Sequence, residues 1–450
     1  MAGFFVGDVR SKLGVCDAIA RSAGIALETT GVPTSASRLY SSAGDHCRGP
    51  ANTNRRNGFR RDHAVRATTQ GTAAAMKSST GEHYIALDHV RALAVFMVFS
   101  FHFLHGWLGL PVPYGYTPAF FPFSIINQGH TGVALFMTLS GYLFAKLLDG
   151  KQVSYPAFFW NRFLRLFPLL IVVLVACGIQ TYLNQGRVGL VIYTAMVKRG
   201  FLLPLMPNGL PSWPNGAWSI TAEMHFYLLL PLILFLGRKS KLCLPAIVLA
   251  AIALRTLIHH ERGEVQTLAY FTLVGRIDQF VLGIIAFNYR KSIANRHLLF
   301  ALGFTAFLLY YWQFDLQGGY GKDPSLGSGG AVWIYLPTLE GLAYGLLISY
   351  YDSTWQPANT GISKVIGLIG AYSYSIYLLH FFVVFYLPGL VSRHIMALDN
   401  FYVACAWSLL CFGLMLPIGY LSFRFIEAPF LKFRRRYFVA NAAPPIAAGA

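Results

Sequence analysis

Charge is what this chain most lacks. Asp, Glu, Lys and Arg make up 12% of its 450 residues, against about 25% in a soluble domain. In their place stand hydrophobic residues, 55% of the chain. A soluble globular protein is thereby excluded, and a polytopic membrane protein is left. Acidic residues are the scarcer sign, 18 against 36 Lys and Arg. The resulting net charge of +18 does not point to nucleic acid, because the basic residues cluster at the ends of apolar runs, where they orient spans and meet anionic lipid heads. Cysteine is scarce too. The six, at 16, 47, 177, 243, 405 and 411, show no metal-type spacing and suggest no disulfide framework. No ligand cluster suggests a metal. No internal repeat is evident, which argues against a transporter built from repeated halves.

Residues 1–80 have no sustained apolar pattern, and basic residues outnumber acidic ones there. The opening "MAGFFVGDVRSKLG" is too short and too polar for a signal peptide. Two readings stay open: a disordered, basic cytoplasmic extension, or translation that truly begins at Met76. Residues 437–450 read as a disordered tail.

Between these ends the sequence predicts an all-α bundle of about ten transmembrane helices, at 85–106, 129–148, 163–184, 218–236, 242–258, 265–287, 297–314, 331–350, 364–388 and 400–425. An eleventh apolar stretch, 188–205, holds Lys198 and Arg199 and reads as interfacial or re-entrant. Ten spans put "GRKSK" (237–241), "YRKSIANRH" (289–297) and "KFRRR" (432–436) on one side, and the loop 107–128, free of Lys and Arg, on the other. The positive-inside rule then places both termini in the cytoplasm. The membrane expected is a bacterial inner (plasma) membrane.

A charged residue at the centre of a span costs roughly 2.5–3.5 kcal/mol on the insertion scale, yet the first span carries Asp88, Arg91, His102 and His105. At ~1.5 Å rise per residue, Arg91 lies ~9 Å in from the cytoplasmic end and His102 ~26 Å in. Arg162 and Arg165, three apart and so on one helix face, open the third span. Counted from an outer start at Trp218, Glu223 lies ~7 Å deep, about level with His102. Two layers are therefore expected, ~16 Å apart along the first helix. The inner one is cationic and suits phosphates. The outer one pairs a base with a carboxylate, the arrangement that takes a proton from a hydroxyl. Each feature also has a plainer reading. Arg162 and Arg165 serve equally as snorkelling anchors, Arg91 as a structural partner of Asp88, and Glu223 as a hydrated interfacial group. His105, His130 and His225 are structural by default.

The motifs resemble acyltransferase family 3, the integral membrane O-acyltransferases. "LDHVRALAVFMVFSFH" is similar to the family's opening span, with an Arg, ten residues, then a His. "GVALFMTLSGYLFAKLL", "FFWNRFLRLFPLL", "WSITAEMHFYLLLPLI", "GRIDQFVLGIIAF", "YSYSIYLLHFFVV" and "RFIEAPFLKF" follow in the family's order. The similarity covers about residues 83–436. Met137, Met224 and His225 depart from the common pattern. The resemblance implies transfer of an acyl group, most often acetyl, from cytoplasmic acyl-coenzyme A to a hydroxyl of an extracytoplasmic carbohydrate or glycolipid. His102 and Glu223 are then expected to be catalytic, and Arg91, Arg162 and Arg165 to bind the donor. A glycan or lipid transporter without acyl transfer is the alternative.

Overall fold

The computed structural model describes residues 84–106, 110–206, 211–321 and 330–439. The expected extension 1–80, with Met76, and most of the expected tail lie outside them.

The described chain is helical almost throughout. In order come α1 (Ile85–His105), α2 (Gly132–Leu148), α3 (Tyr155–Gly200), α4 (Trp218–Lys239), α5 (Cys243–Arg262), α6 (Gln266–Phe271), α7 (Leu273–Asn288), α8 (His297–Leu316), α9 (Val332–Thr354), α10 (Gly361–Ala371), α11 (Ser373–Leu379), α12 (Leu387–His394), α13 (Phe401–Gly413) and α14 (Met415–Ser422). Among the described residues eight helices are long and apolar enough to cross a bilayer, or nine if the pair α10 and α11, bent by 56°, counts as one span. Ten were expected. The difference lies in 265–287, which is broken at Thr272. There the Thr272 hydroxyl accepts from Gly275 N at 3.0 Å and starts a new helix. The 16-residue α7 that follows is ~24 Å long, short of a ~30 Å hydrocarbon core.

Helix α3 is really two helices. Gly186 breaks it with φ 66° and ψ −156°, a backbone that glycine adopts without a Cβ penalty. The chain then doubles back. The Tyr193 hydroxyl donates to Leu174 O at 2.7 Å, and the Phe201 ring stands 6.2 Å from that of Phe167. The stretch read from sequence as interfacial or re-entrant is the returning limb of this hairpin. It delivers α4 beside Gly200, whose carbonyl accepts from Thr221 Oγ1 at 2.8 Å.

Helices α2 and α7 form the centre, at backbone contact. A Cβ on Gly141 would lie 1.9 Å from Phe280 O, and one on Gly283 2.0 Å from Thr138 O. Such close approach through small residues is how helices gain packing energy where lipid removes the hydrophobic drive. Around this pair, buried charged groups are ion-paired or hydrogen-bonded to neutral groups. Arg255 and Asp278, both fully buried, meet at 2.7 Å. Glu340 accepts from Thr131 Oγ1 at 2.6 Å, from Gln279 Nε2 at 2.8 Å and from the Tyr311 hydroxyl. An intramembrane charge left alone would be costly; these bonds pin α2, α7, α8 and α9 together.

The chain end returns to the start of α3. Strand β1 (Gln152–Val153) pairs antiparallel with β2 (Phe438–Val439), Gln152 opposite Val439. Tyr437 is fully buried, so the expected tail is held in place at its first residues.

Candidate active site

The three arginines singled out from the sequence line one cavity, together with a fourth. A cavity of about 260 Å³ is lined by Arg91 from α1, Arg162 and Arg165 from α3, and Arg434 from the segment after α14. Arg91 is ion-paired to Asp88. Arg165 donates to Glu427 at 3.0 Å and to Ala371 O at 3.3 Å; Glu427 is fully buried and also accepts from Ser375 Oγ. Arg162 differs from both. Its guanidinium stands 5.3 and 5.6 Å from the Phe144 and Phe158 rings, and its buried Nε has no hydrogen-bond partner among the described residues.

Arg434 was not anticipated. Asn161, fully embedded at the start of α3, donates to Arg435 O at 2.7 Å and accepts from Arg435 N at 2.8 Å. This clasp holds the chain end so that Arg434 lines the cavity. Burial first, and then the neighbouring Arg165 and Arg162 charges, push its pKa down to about 9. At neutral pH it stays charged. Crowded cations of this kind favour a bound anion, because the anion relieves their mutual repulsion.

The cavity walls also carry apolar side chains, among them Val133, Phe136, Met137, Leu139 and Leu143, and the polar Ser219 and Tyr377. Glu223 lines this same cavity. It accepts from Ser140 Oγ at 3.2 Å and from the Tyr227 hydroxyl one turn along α4. It is not beside His102. The expected His102–Glu223 pair is therefore not formed, and the reason is the α3 hairpin. The hairpin and the link after it lead α4 back beside Gly200 before the helix begins, so counting depth from an outer surface at Trp218 misplaced Glu223.

His102 is not among the residues lining the cavity. Its partner is a residue that was not singled out, His380. His102 Nδ1 is 2.8 Å from Val98 O and 3.3 Å from His380 Nε2. His380 Nδ1 is 2.6 Å from Tyr377 O. Tyr377 thus touches both regions, with its side chain on the cavity and its carbonyl on His380. The Phe381 ring, 4.6 Å from His102, closes the other side. His105 Nδ1 lies 3.0 Å from Val112 O and its Nε2 2.8 Å from Asn127 O, so both ring nitrogens face backbone carbonyls within the fold.

The comparison with known families now decides the class. A family model described as "Acyltransferase domain" (acyltransferase family 3) matches residues 84–423. The chain belongs to this family. Among curated proteins it is similar to the "Putative O-acetyltransferase" of Staphylococcus aureus strain COL, at 25% identity over 381 residues. It is also similar to "O-acetyltransferase OatA" of S. aureus strain NCTC 8325, at 24% over 385 residues. Both alignments cover 77% of this chain and 57% of the relative, so the chain spans just over half the length of the curated relatives it matches. No solved structure matches. Among the described residues of this acyltransferase-family chain, the arginine cavity and the His102–His380 pair are the groups that bring the family-like motifs together in space.

Proposed function

We propose that the protein is a membrane O-acyltransferase that moves an acyl group, acetyl in the simplest case, from acyl-coenzyme A to a hydroxyl of a carbohydrate or glycolipid. The observation that carries this reading is the cavity itself. Four arginines and a set of apolar side chains line it together with Tyr377, whose backbone carbonyl meets His380 of the histidine pair. At about 260 Å³ it falls below the roughly 300–1,000 Å³ of a pocket for a whole ligand. That size suits the slim arm of the donor, with the nucleotide at the mouth. Arg162, Arg165, Arg434 and Arg91 take the phosphates by charge-assisted hydrogen bonds. Glu223, which lines the same cavity, accepts from an amide N–H of the pantetheine arm. The arginine end faces the cytoplasm of a bacterial plasma membrane, where the donor is made, and the His102 end faces outward.

His102 then acts as general base. Its Nδ1 is bonded to a carbonyl, which can only accept, so Nδ1 carries the hydrogen and Nε2 is the basic atom. Nε2 takes the proton of the acceptor hydroxyl as that oxygen bonds to the thioester carbon. The C–S bond breaks, and the departing thiolate takes the proton from Nε2. The ester remains on the acceptor, and coenzyme A leaves by the route it entered. For the thioester to reach His102, the Tyr377 side chain, which lines the cavity, has to turn aside.

The test uses the full chain in proteoliposomes with acetyl-coenzyme A labelled in the acetyl group. His102→Ala should bind donor with wild-type affinity and transfer no label to glycan; near-normal transfer would sink the base assignment.

A further inference from the structure

Resting on His102 as that base, we propose that His380 is its positioning residue, doing with a neutral imidazole what a carboxylate does beside many catalytic histidines. The hydrogen bonds fix both tautomers. Tyr377 O, 2.6 Å from His380 Nδ1, requires the hydrogen on that nitrogen, so the lone pair of His380 sits on Nε2. This lone pair lies 3.3 Å from His102 Nδ1. The Nδ1–H of His102 is thus shared between two acceptors, Val98 O and His380 Nε2, and His102 Nε2 is left bare.

The pair is also held mechanically. His380 is fully buried, its ring 6.3 Å from Phe99 and 4.6 Å from Phe381. It stands at the end of α11, where the helix tightens into the 3-10 turn His380–Phe382. When His102 takes a proton its ring becomes a cation, and Nδ1–H becomes a stronger donor toward acceptors already in place. Hydrogen bonds to charged groups are about twice as strong as neutral ones. A carboxylate here would do the same, but it would have to be kept ionised inside an apolar bundle at high cost. A histidine carries no charge until the reaction supplies one next door. His380 takes no proton and forms no covalent bond, so the transfer step is unchanged in its balance.

Two substitutions separate positioning from packing. His380→Phe keeps ring volume and loses the lone pair. His380→Gln loses the ring and restores an acceptor. Each full-length variant is assayed in native-host envelope membranes, which supply the acceptor, with labelled acetyl-coenzyme A as donor. His380→Phe should lower kcat by about tenfold or more and leave donor KM unchanged; His380→Gln should recover to within about threefold of wild type. A His380→Phe enzyme as fast as wild type, or a Gln variant no better than Phe, overturns the proposal. The Gln variant also decides alone, since a loss beyond about tenfold with donor binding intact contradicts a positioning role. His102→Ala is run beside them. If it stays active, the base assignment itself fails; if it is dead while His380→Phe is normal, only the role of His380 fails.

Discussion

Arg162 and Arg165 sit three residues apart in one motif, yet the structure predicts that their removal has different consequences. Arg162 makes ring contacts to Phe144 and Phe158 and no hydrogen bond or ion pair among the described residues. Two cation–π contacts to buried rings contribute about 1–4 kcal/mol, but the partly buried guanidinium has no counter-ion among the described residues and its desolvation offsets most of that, so Arg162→Ala should cost little stability. Its charge is available to the donor. One charge-assisted hydrogen bond to a phosphate contributes about 1.5–3 kcal/mol, which is roughly a 10- to 150-fold loss of affinity. Arg165 is different because it answers Glu427, a carboxylate with no exposed side-chain surface. Removing Arg165 strands that charge, which costs about 3–5 kcal/mol. Arg165→Ala should therefore melt well below wild type and lose donor binding as well. Calorimetric titration with acetyl-coenzyme A, and thermal unfolding in the same detergent, check both variants. The reasoning is refuted if Arg162→Ala binds donor as tightly as wild type, or if the two variants melt together.

Other outcomes follow from the same geometry. Arg434→Gln should weaken acetyl-coenzyme A binding by about tenfold or more, since it removes one of the four cations lining the cavity; wild-type affinity in calorimetric titration would contradict this. Glu223→Gln should raise donor KM more than it lowers kcat at saturating donor, the reverse of what a partner of His102 would do, as steady-state kinetics will show. Gly283→Val drives side-chain atoms into the Thr138 carbonyl, 2.0 Å from where its Cβ would stand. Membrane blots should show that it fails to accumulate.

How far the sequence could be read depended on how local the signal was. Apolar runs and basic loop ends give spans directly, and the motif order gives the family. Arg91, Arg162 and Arg165 converge as expected because each lies near one end of a helix whose direction the charge rule sets. Glu223 was misplaced because depth was counted along a single helix from an assumed surface. The α3 hairpin turns at Gly186, in the polar break between 184 and 188 that the sequence does show; what the sequence does not show is that the returning limb brings the start of α4 beside Gly200. Arg434 was hidden inside "KFRRR", where an anchor and a cavity residue look alike; the Asn161 clasp that distinguishes them spans 274 positions. His380 stood within a quoted motif, "YSYSIYLLHFFVV". A lone histidine at a helix end is ordinary, and only the 3.3 Å approach to His102 gives it a role. The break of 265–287 at Thr272 was not legible, since a single threonine in an apolar run sits within a helix as readily as it caps one.

The central claim is that an acyl group leaves coenzyme A and arrives on a glycan hydroxyl. It is tested most directly by giving the purified protein in proteoliposomes acetyl-labelled acetyl-coenzyme A on the arginine side and envelope glycan on the other. The account predicts labelled glycan and free coenzyme A in equal amounts, with neither formed by His102→Ala. Glycan that crosses the membrane unlabelled, with the thioester intact, would contradict it and mark a transporter instead.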